Sequence, residues 1–262
     1  MNRAPTESVG EHFAGGQELY MPKLQRGDAS LYYEVYGSGY PVLVLAPGSL
    51  NSMIEAWHRS AWDPTKELAD EYQVIAMDQR NAGESRAPIG PADGWDTFLG
   101  DHLALLDHLG IERCHVMGAC IGVSFALKIA QVQPQRVTAA VMQQPIGALK
   151  PREESMGFDN WVKGLVDHPE ATPEVLRSYY NNIYGSFFVY SVTRDFVKLC
   201  QTPMLILPGN NAAHPHEVAE QLHELAPNSE FIDDWQEGAG HEAAFRRVRE
   251  FLREHTPTAV TA

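Results

Sequence analysis

The densest chemistry in the chain lies in Gly118-Ala119-Cys120-Ile121-Gly122. Cys114 to Met117 read as the end of a buried strand, and Val123 to Ala130 read as an apolar helix. Between them the backbone must turn from strand to helix within about one residue. This is the G-x-S-x-G spacing of a nucleophile turn, with a thiol in place of the hydroxyl. The two glycines remove Cβ atoms that would clash across the turn, and the central residue is forced into an unfavourable backbone conformation. Its side chain then projects from the carboxyl edge of the sheet at a helix N-terminus, where unpaired N–H groups favour an anion. That setting is expected to lower the pKa of the Cys120 thiol and to favour covalent chemistry. The same five residues also describe a small buried cysteine in a glycine-rich turn, so the rest of the chain has to decide between the two.

The elements around this turn follow from periodicity. Two strand-like runs, Tyr20 to Gln25 and Ser30 to Tyr36, flank Gly27-Asp28, a hairpin signal. Val42 to Ala46 is a continuous apolar run, as expected of a strand covered on both faces, and it ends in the loop Pro47-Gly48-Ser49-Leu50. Pro64 to Asp70 is a helix with Asp63 as its N-cap. Tyr72 to Met77 is the next strand and runs into the polar loop Asp78 to Ser85. Asp96 to Leu109 is an amphipathic helix stopped by Gly110. After the elbow and its helix, Val137 to Gln143 is another buried strand. Strands and helices therefore alternate, which predicts an α/β fold with a largely parallel sheet and helices on both faces.

The alternation pauses from about Gly147 to Thr202, a helical stretch carrying Phe158, Trp161, Tyr179, Tyr180, Tyr184, Phe187, Phe188 and Tyr190. It begins after the carboxyl end of a strand, the side on which open α/β sheets hold ligands, so a cap over the site is expected. Most of its aromatics serve its own core, and a subset, Trp161 and Tyr184, are candidates to line a substrate pocket. The alternation resumes with Pro203 to Pro208 as a strand, His216 to Leu225 as a helix, Ser229 to Ile232 as a short strand and Glu242 to Leu252 as a last amphipathic helix.

Composition bounds the partners. A chain of 262 residues with 44% hydrophobic and 21% charged residues can bury a sizeable core. The net charge of -14 argues against nucleic acid or an anionic membrane, both of which want a basic face. Three cysteines, Cys114, Cys120 and Cys200, are too few for a disulfide framework and fit a reducing compartment. Met1 to Gln17 has no apolar core of a secretory signal, and no run is long enough to span a membrane, so a cytoplasmic protein with a small-molecule substrate is expected. The oligomeric state stays open, a homodimer included.

The order of elements and four motifs resemble the α/β-hydrolase fold family over about residues 20 to 255. The motifs are the elbow, the loop Ala46-Pro47-Gly48-Ser49, the run Asp78-x-Arg80-x-x-Gly83-x-Ser85, and Gly238-Ala239-Gly240-His241 before the last helix. The resemblance implies a mostly parallel central sheet with helices on both faces and a helical cap insertion. Its core would span 19–147 and 203–255 and its cap 148–202, with a flexible N-terminal segment at 1–18 and a flexible tail at 256–262. It implies an oxyanion hole from the N–H groups of Ser49 and Ile121, a catalytic histidine at His241 and a chiefly structural loop at Asp78 and Arg80.

This sequence departs from the family twice. Cys120 stands where serine is usual. The loop after the strand Pro203 to Pro208 holds no carboxylate, and Asn211 occupies the place of the family's acid. The two departures are chemically compatible. A cysteine–histidine pair can rest as thiolate and imidazolium, so the third residue has only to orient the ring, which an asparagine can do. The expected reaction is hydrolysis of an ester, thioester, lactone or related acyl bond through an acyl-cysteine. It needs no metal and no cofactor. The readings left beside it are an acyltransferase using the same intermediate, a cofactor-free lyase or C–C bond hydrolase, and a non-enzymatic ligand-binding protein. Asn211 also reads as an ordinary turn residue. His241 also reads as a surface histidine near a helix start, and Asp233 or Asp234 as a displaced acid. His214 and His216 make a poor metal pair, and Cys114 and Cys200 read as core.

Overall fold

The computed structural model describes residues 22–60, 62–148, 156–186 and 188–258. The expected loose segment 1–18, Phe187 and the end of the tail lie outside the described residues. The chain opens with strands β1 (Lys23–Arg26), β2 (Ala29–Tyr36) and β3 (Tyr40–Leu45), then the short helices α1 (Ile54–His58) and α2 (Pro64–Glu67). Strand β4 (Tyr72–Met77), helix α3 (Trp95–His108), strand β5 (Cys114–Ala119), helix α4 (Ile121–Val132) and strand β6 (Val137–Gln143) follow. Helices α5 (Met156–Lys163), α6 (Pro173–Tyr184) and α7 (Arg194–Leu199) precede strand β7 (Met204–Leu207). Helix α8 (His216–Leu225), strand β8 (Ser229–Phe231) and helix α9 (Gly238–His255) complete the order.

The eight strands form one sheet in the order β1-β2-β4-β3-β5-β6-β7-β8. The β1–β2 and β2–β4 pairs are antiparallel, and every pair from β4–β3 to β7–β8 is parallel. The period of two along each central strand sorts its side chains into two cores. Leu43, Leu45, Val116, Ala140, Met142 and Ile206 face the layer that holds residues of α3, α4 and α8. Val42, Val44, Met117, Ala119, Val141 and Leu207 face the other layer, with Trp57 of α1 and Phe245, Val248 and Leu252 of α9. Both faces being covered is why these strands read as unbroken apolar runs. Among the described residues no helix is long and apolar enough to cross a membrane.

The loop after β4 is held by buried polar contacts. Asp78 accepts from the N–H groups of Ile54 and Glu84, both at 2.8 Å, and Ser85 Oγ donates to the Asp78 carbonyl at 2.8 Å. Arg80 reaches Asp101 with Nε at 2.7 Å and Nη2 at 2.9 Å, and Arg26 adds a bond to the same carboxylate at 2.8 Å. Asp78 and Arg80 thus tie loops to the core. Beside them His102 Nε2–H donates to Gln79 Oε1 at 2.8 Å. Burial, helped by the Arg80 charge, pushes the His102 pKa down to about 3. Burial, helped by the charge of His255, does the same for His115, also to about 3.

These two histidines stay neutral in the fold, while the unfolded chain protonates them below about pH 6.5. Their stabilising effect is therefore full above that pH and is lost as pH falls toward about 3. Urea unfolding at pH 7 and pH 5 should show a loss of stability on acidification. That loss should be smaller by about 2 kcal/mol in His102→Gln. Equal losses in the two proteins would show that His102 is not the titrating group.

Candidate functional site

Strand β5 ends at Ala119 and helix α4 begins at Ile121, so Cys120 alone makes the turn. Its φ is 58° and its ψ is −119°, a conformation that side chains rarely adopt. The glycines on either side explain the tolerance. A Cβ on Gly118 would lie 2.2 Å from the Gly122 carbonyl oxygen. A Cβ on Gly122 would lie 1.9 Å from the carbonyl oxygen of Leu45 on β3. The elbow is thus a contact of three backbones that only glycine permits. The Cys120 N–H donates to the carbonyl of Gln143, the last residue of β6, at 2.9 Å.

The loop after β3 comes down on the thiol. Gly48 has φ 127° and Ser49 has φ 56°, both in the left-handed region. Ser52 Oγ fixes the far end by donating to the Ala46 carbonyl at 2.7 Å. In this shape burial raises the Cys120 pKa above its ordinary value, and the N–H groups of Gly48, Ile121 and Ser49 act against burial by favouring the thiolate. The net direction is up, opposite to the lowering expected from the helix N-terminus alone. Desolvation of a thiolate outweighs three hydrogen-bond donors here. The fold brings the N–H groups of Ser49 and Ile121, both singled out in the sequence, to the thiol. Gly48 is a third donor that sequence reasoning missed, although a Pro-Gly pair after a buried strand marks a tight loop able to turn its N–H inward.

The helices between β6 and β7 bring aromatic rings to this loop. Helix α5 packs against the Ser49–Asn51 turn. Tyr184 shares a 2.6 Å hydrogen bond with Ser49 Oγ. Trp161 is buried, with its ring centroid 4.8 Å from that of Tyr179. Tyr180 lies between Phe158, at 5.0 Å, and Tyr184, at 5.2 Å. Where the chain returns past the elbow, Ser124 of α4 donates to the Val189 carbonyl at 2.7 Å. A cavity of about 480 Å³ lined by Phe188, Tyr190, Arg194 and Lys198 borders the same segment and does not include Cys120.

The other expected site residues are placed differently. His241 lies inside the first turn of α9, because the helix starts at Gly238, four residues before the expected start at Glu242, and the chain enters it with φ +60° at Gly238. Its ring stands edge-on to Phe245, with centroids 4.7 Å apart. Among the described residues the His241 ring makes no hydrogen bond, to Cys120 included. Asn211 does not meet His241. Its Oδ1 accepts from the N–H groups of Ala213 at 3.0 Å and His214 at 3.1 Å, and lies 3.2 Å from His214 Nδ1. This is the turn chemistry of asparagine taking precedence over the site role. Asp233 pairs with His216 Nε2 at 2.7 Å, which raises the His216 pKa. Asp234 is exposed and lies across Gly240, where a Cβ would come within 2.5 Å of its Oδ1. Cys114 and Cys200 are buried free cysteines, as expected of core residues. Among the described residues no three His, Cys, Asp or Glu side chains converge as a metal site.

Two outcomes follow from the elbow. Gly122→Ala should cost about 1–3 kcal/mol in urea unfolding, because β3 or α4 must shift to admit the methyl group; unchanged stability would contradict the contact. Iodoacetamide should alkylate Cys120 at pH 7 more slowly than free cysteine. The rate should rise with pH to a midpoint above the ordinary thiol value of about 8.5. Subtracting the Cys120→Ala rate isolates the site, and a midpoint at or below the ordinary value would reverse the assignment.

Comparison with known proteins agrees with this architecture. A family model described as alpha/beta hydrolase fold matches residues 41–178. A putative carbamate hydrolase, RutD, of Azorhizobium caulinodans is 36% identical over 118 residues, 45% of this chain and 42% of that protein. A proline iminopeptidase of Xylella fastidiosa is 36% identical over 120 residues, 43% of this chain and 35% of that protein. The chain thus spans less than half the length of the curated relatives it matches. The solved meta-cleavage product hydrolase of Pseudomonas fluorescens superposes with a TM-score of 0.66 at 20% identity, over 90% of this chain and 99% of that one. With the sheet order, the elbow and the family match over more than half of its length, the chain belongs to the alpha/beta hydrolase fold family.

Proposed function

We propose that this chain hydrolyses an ester, thioester, lactone or related acyl bond of a small, partly apolar substrate, with Cys120 as the nucleophile. The observation that carries this reading is the strained Cys120 with three main-chain N–H groups, those of Gly48, Ser49 and Ile121, around its sulfur. A buried structural cysteine has no need of three donors, whereas the oxyanion that forms on a substrate carbonyl oxygen when the sulfur attacks it does. Similarity to a putative carbamate hydrolase and to an iminopeptidase supports a carbonyl-type substrate. Trp161 and Tyr184, on the helices that meet the Ser49 loop, are the candidates for its apolar part. The free state of the described cysteines suits a reducing compartment such as the cytoplasm.

The raised thiol pKa changes the expected mechanism. Cys120 rests as a thiol, so a base must take its proton as the sulfur attacks the acyl carbon. His241 is the candidate, from the first turn of α9 at the carboxyl edge of the sheet. Bonds of this kind are often long in a free enzyme and tighten when substrate binds. The carbonyl π electrons move onto oxygen, which the three N–H groups hold. The oxyanion then collapses, the leaving group departs with the proton from His241, and an acyl-cysteine remains. Water loses a proton to His241 and attacks the thioester. Collapse releases the acid, and the proton on His241 returns to sulfur.

Activated esters, thioesters and carbamates, incubated with the full chain and followed by intact mass, test this. The native protein should gain an acyl group that decays as product appears, and Cys120→Ala should gain none and lose turnover by at least about 1000-fold. Unchanged turnover in Cys120→Ala, or neither adduct nor turnover across the panel, would overturn the proposal. An adduct stable in water but cleared by an alcohol or amine would replace hydrolysis with acyl transfer.

A further inference from the structure

With Asn211 engaged in its own turn, the ring of His241 lacks a partner that would orient it. An imidazole that takes a proton on one nitrogen needs an acceptor for the N–H on the other. The structure contains an unused acceptor in a suitable place. Gln143 is the last residue of β6 and is 7% exposed. Its Oε1 is buried and, among the described residues, has no hydrogen-bond partner. A buried acceptor left unpaired carries a desolvation penalty, so such an atom calls for an explanation.

The side on which Gln143 lies follows from register. It pairs with Ala119 on β5 and Leu207 on β7, and both of those face the core layer that contains Phe245 of α9. Val141 and Ala139, two and four residues earlier on β6, face the same layer. Helix α9 packs on β6. The chain leaves β8 at the carboxyl edge of a parallel sheet and enters α9 there, so the first turn of α9 and the end of β6 lie at the same edge. The main chain of Gln143 already touches the nucleophile, since its carbonyl accepts the Cys120 N–H at 2.9 Å. One residue thus joins the elbow to the face on which His241 stands.

We infer that Gln143 is a positioning residue, whose Oε1 accepts the N–H of the His241 ring and holds its other nitrogen toward Cys120 during acyl transfer. This rests on the Cys120–His241 reading above and replaces Asn211 in the orienting role. Asp234, the exposed carboxylate across Gly240, is the competing partner.

The test uses Gln143→Leu, Gln143→Glu and Asp234→Ala in the full chain, with an activated ester and with NMR titration of the His241 ring. Gln143→Leu should lower kcat on the order of 100-fold with little change in KM, as a misoriented base does. Gln143→Glu should keep most of the turnover. Its carboxylate favours the imidazolium, so the His241 titration and the rising limb of the pH–rate profile should both move to higher pH. A purely structural role for Gln143 would move neither. Turnover of Gln143→Leu within twofold of the native chain, an unmoved His241 titration in Gln143→Glu, or loss of turnover in Asp234→Ala in place of Gln143→Leu would overturn the inference. If Cys120→Ala keeps its turnover, the functional reading has failed. The His241 titration in Gln143→Glu needs no turnover and decides the contact by itself.

Discussion

The site depends on the close approach of three stretches of backbone. Strand β5, helix α4 and strand β3 meet at Gly118 and Gly122 with less room than one methyl group requires. No side-chain contact sets this distance, so no repacking of the core can relax it. Two effects follow from it. Cys120 is held at φ 58°, and its sulfur is fixed close to the loop that leaves β3. The cost of that conformation, on the order of 1–3 kcal/mol, is offset by the burial of β3 and β5 on both faces.

The loops around the elbow are made rigid by a different means. Asp78, Arg80 and Asp101 are buried charged or polar groups whose hydrogen bonds stay within the scaffold. Removing one member of such a network leaves an uncompensated charge, which is why these loops hold a single arrangement. The segment after β4 thereby supports α1 through the bond from Ile54 N–H to Asp78, while the sheet supports the nucleophile.

Periodicity and turn chemistry made much of the fold legible in the sequence. The limits of β4, β6 and α8 could be read directly, since each apolar run is bounded by a proline, glycine or polar cluster. The start of α9 could not, because Gly238-Ala239-Gly240 has the composition of a loop and its helical state depends on tertiary packing. At the site, spacing singled out Cys120, Ser49 and Ile121, which the fold brings together. It failed for Asn211, where a local turn competes for the same side-chain oxygen. It failed for the thiol because burial is a property of the assembled core, which a motif does not encode. The amide of Gln143 was invisible as well, being the last residue of a strand that reads as apolar.

The hydrogen bond between Tyr184 and Ser49 joins the helical insertion to the loop that supplies main-chain donors to the thiol. It makes the two parts thermodynamically reciprocal. Whatever lifts α6 from the Ser49 loop loosens Ser49, and whatever fills the donors of that loop changes how firmly α6 is seated, by the same free energy. A molecule entering beneath the aromatic rings therefore meets a scaffold whose donor geometry it can tune merely by taking Tyr184 as its own partner.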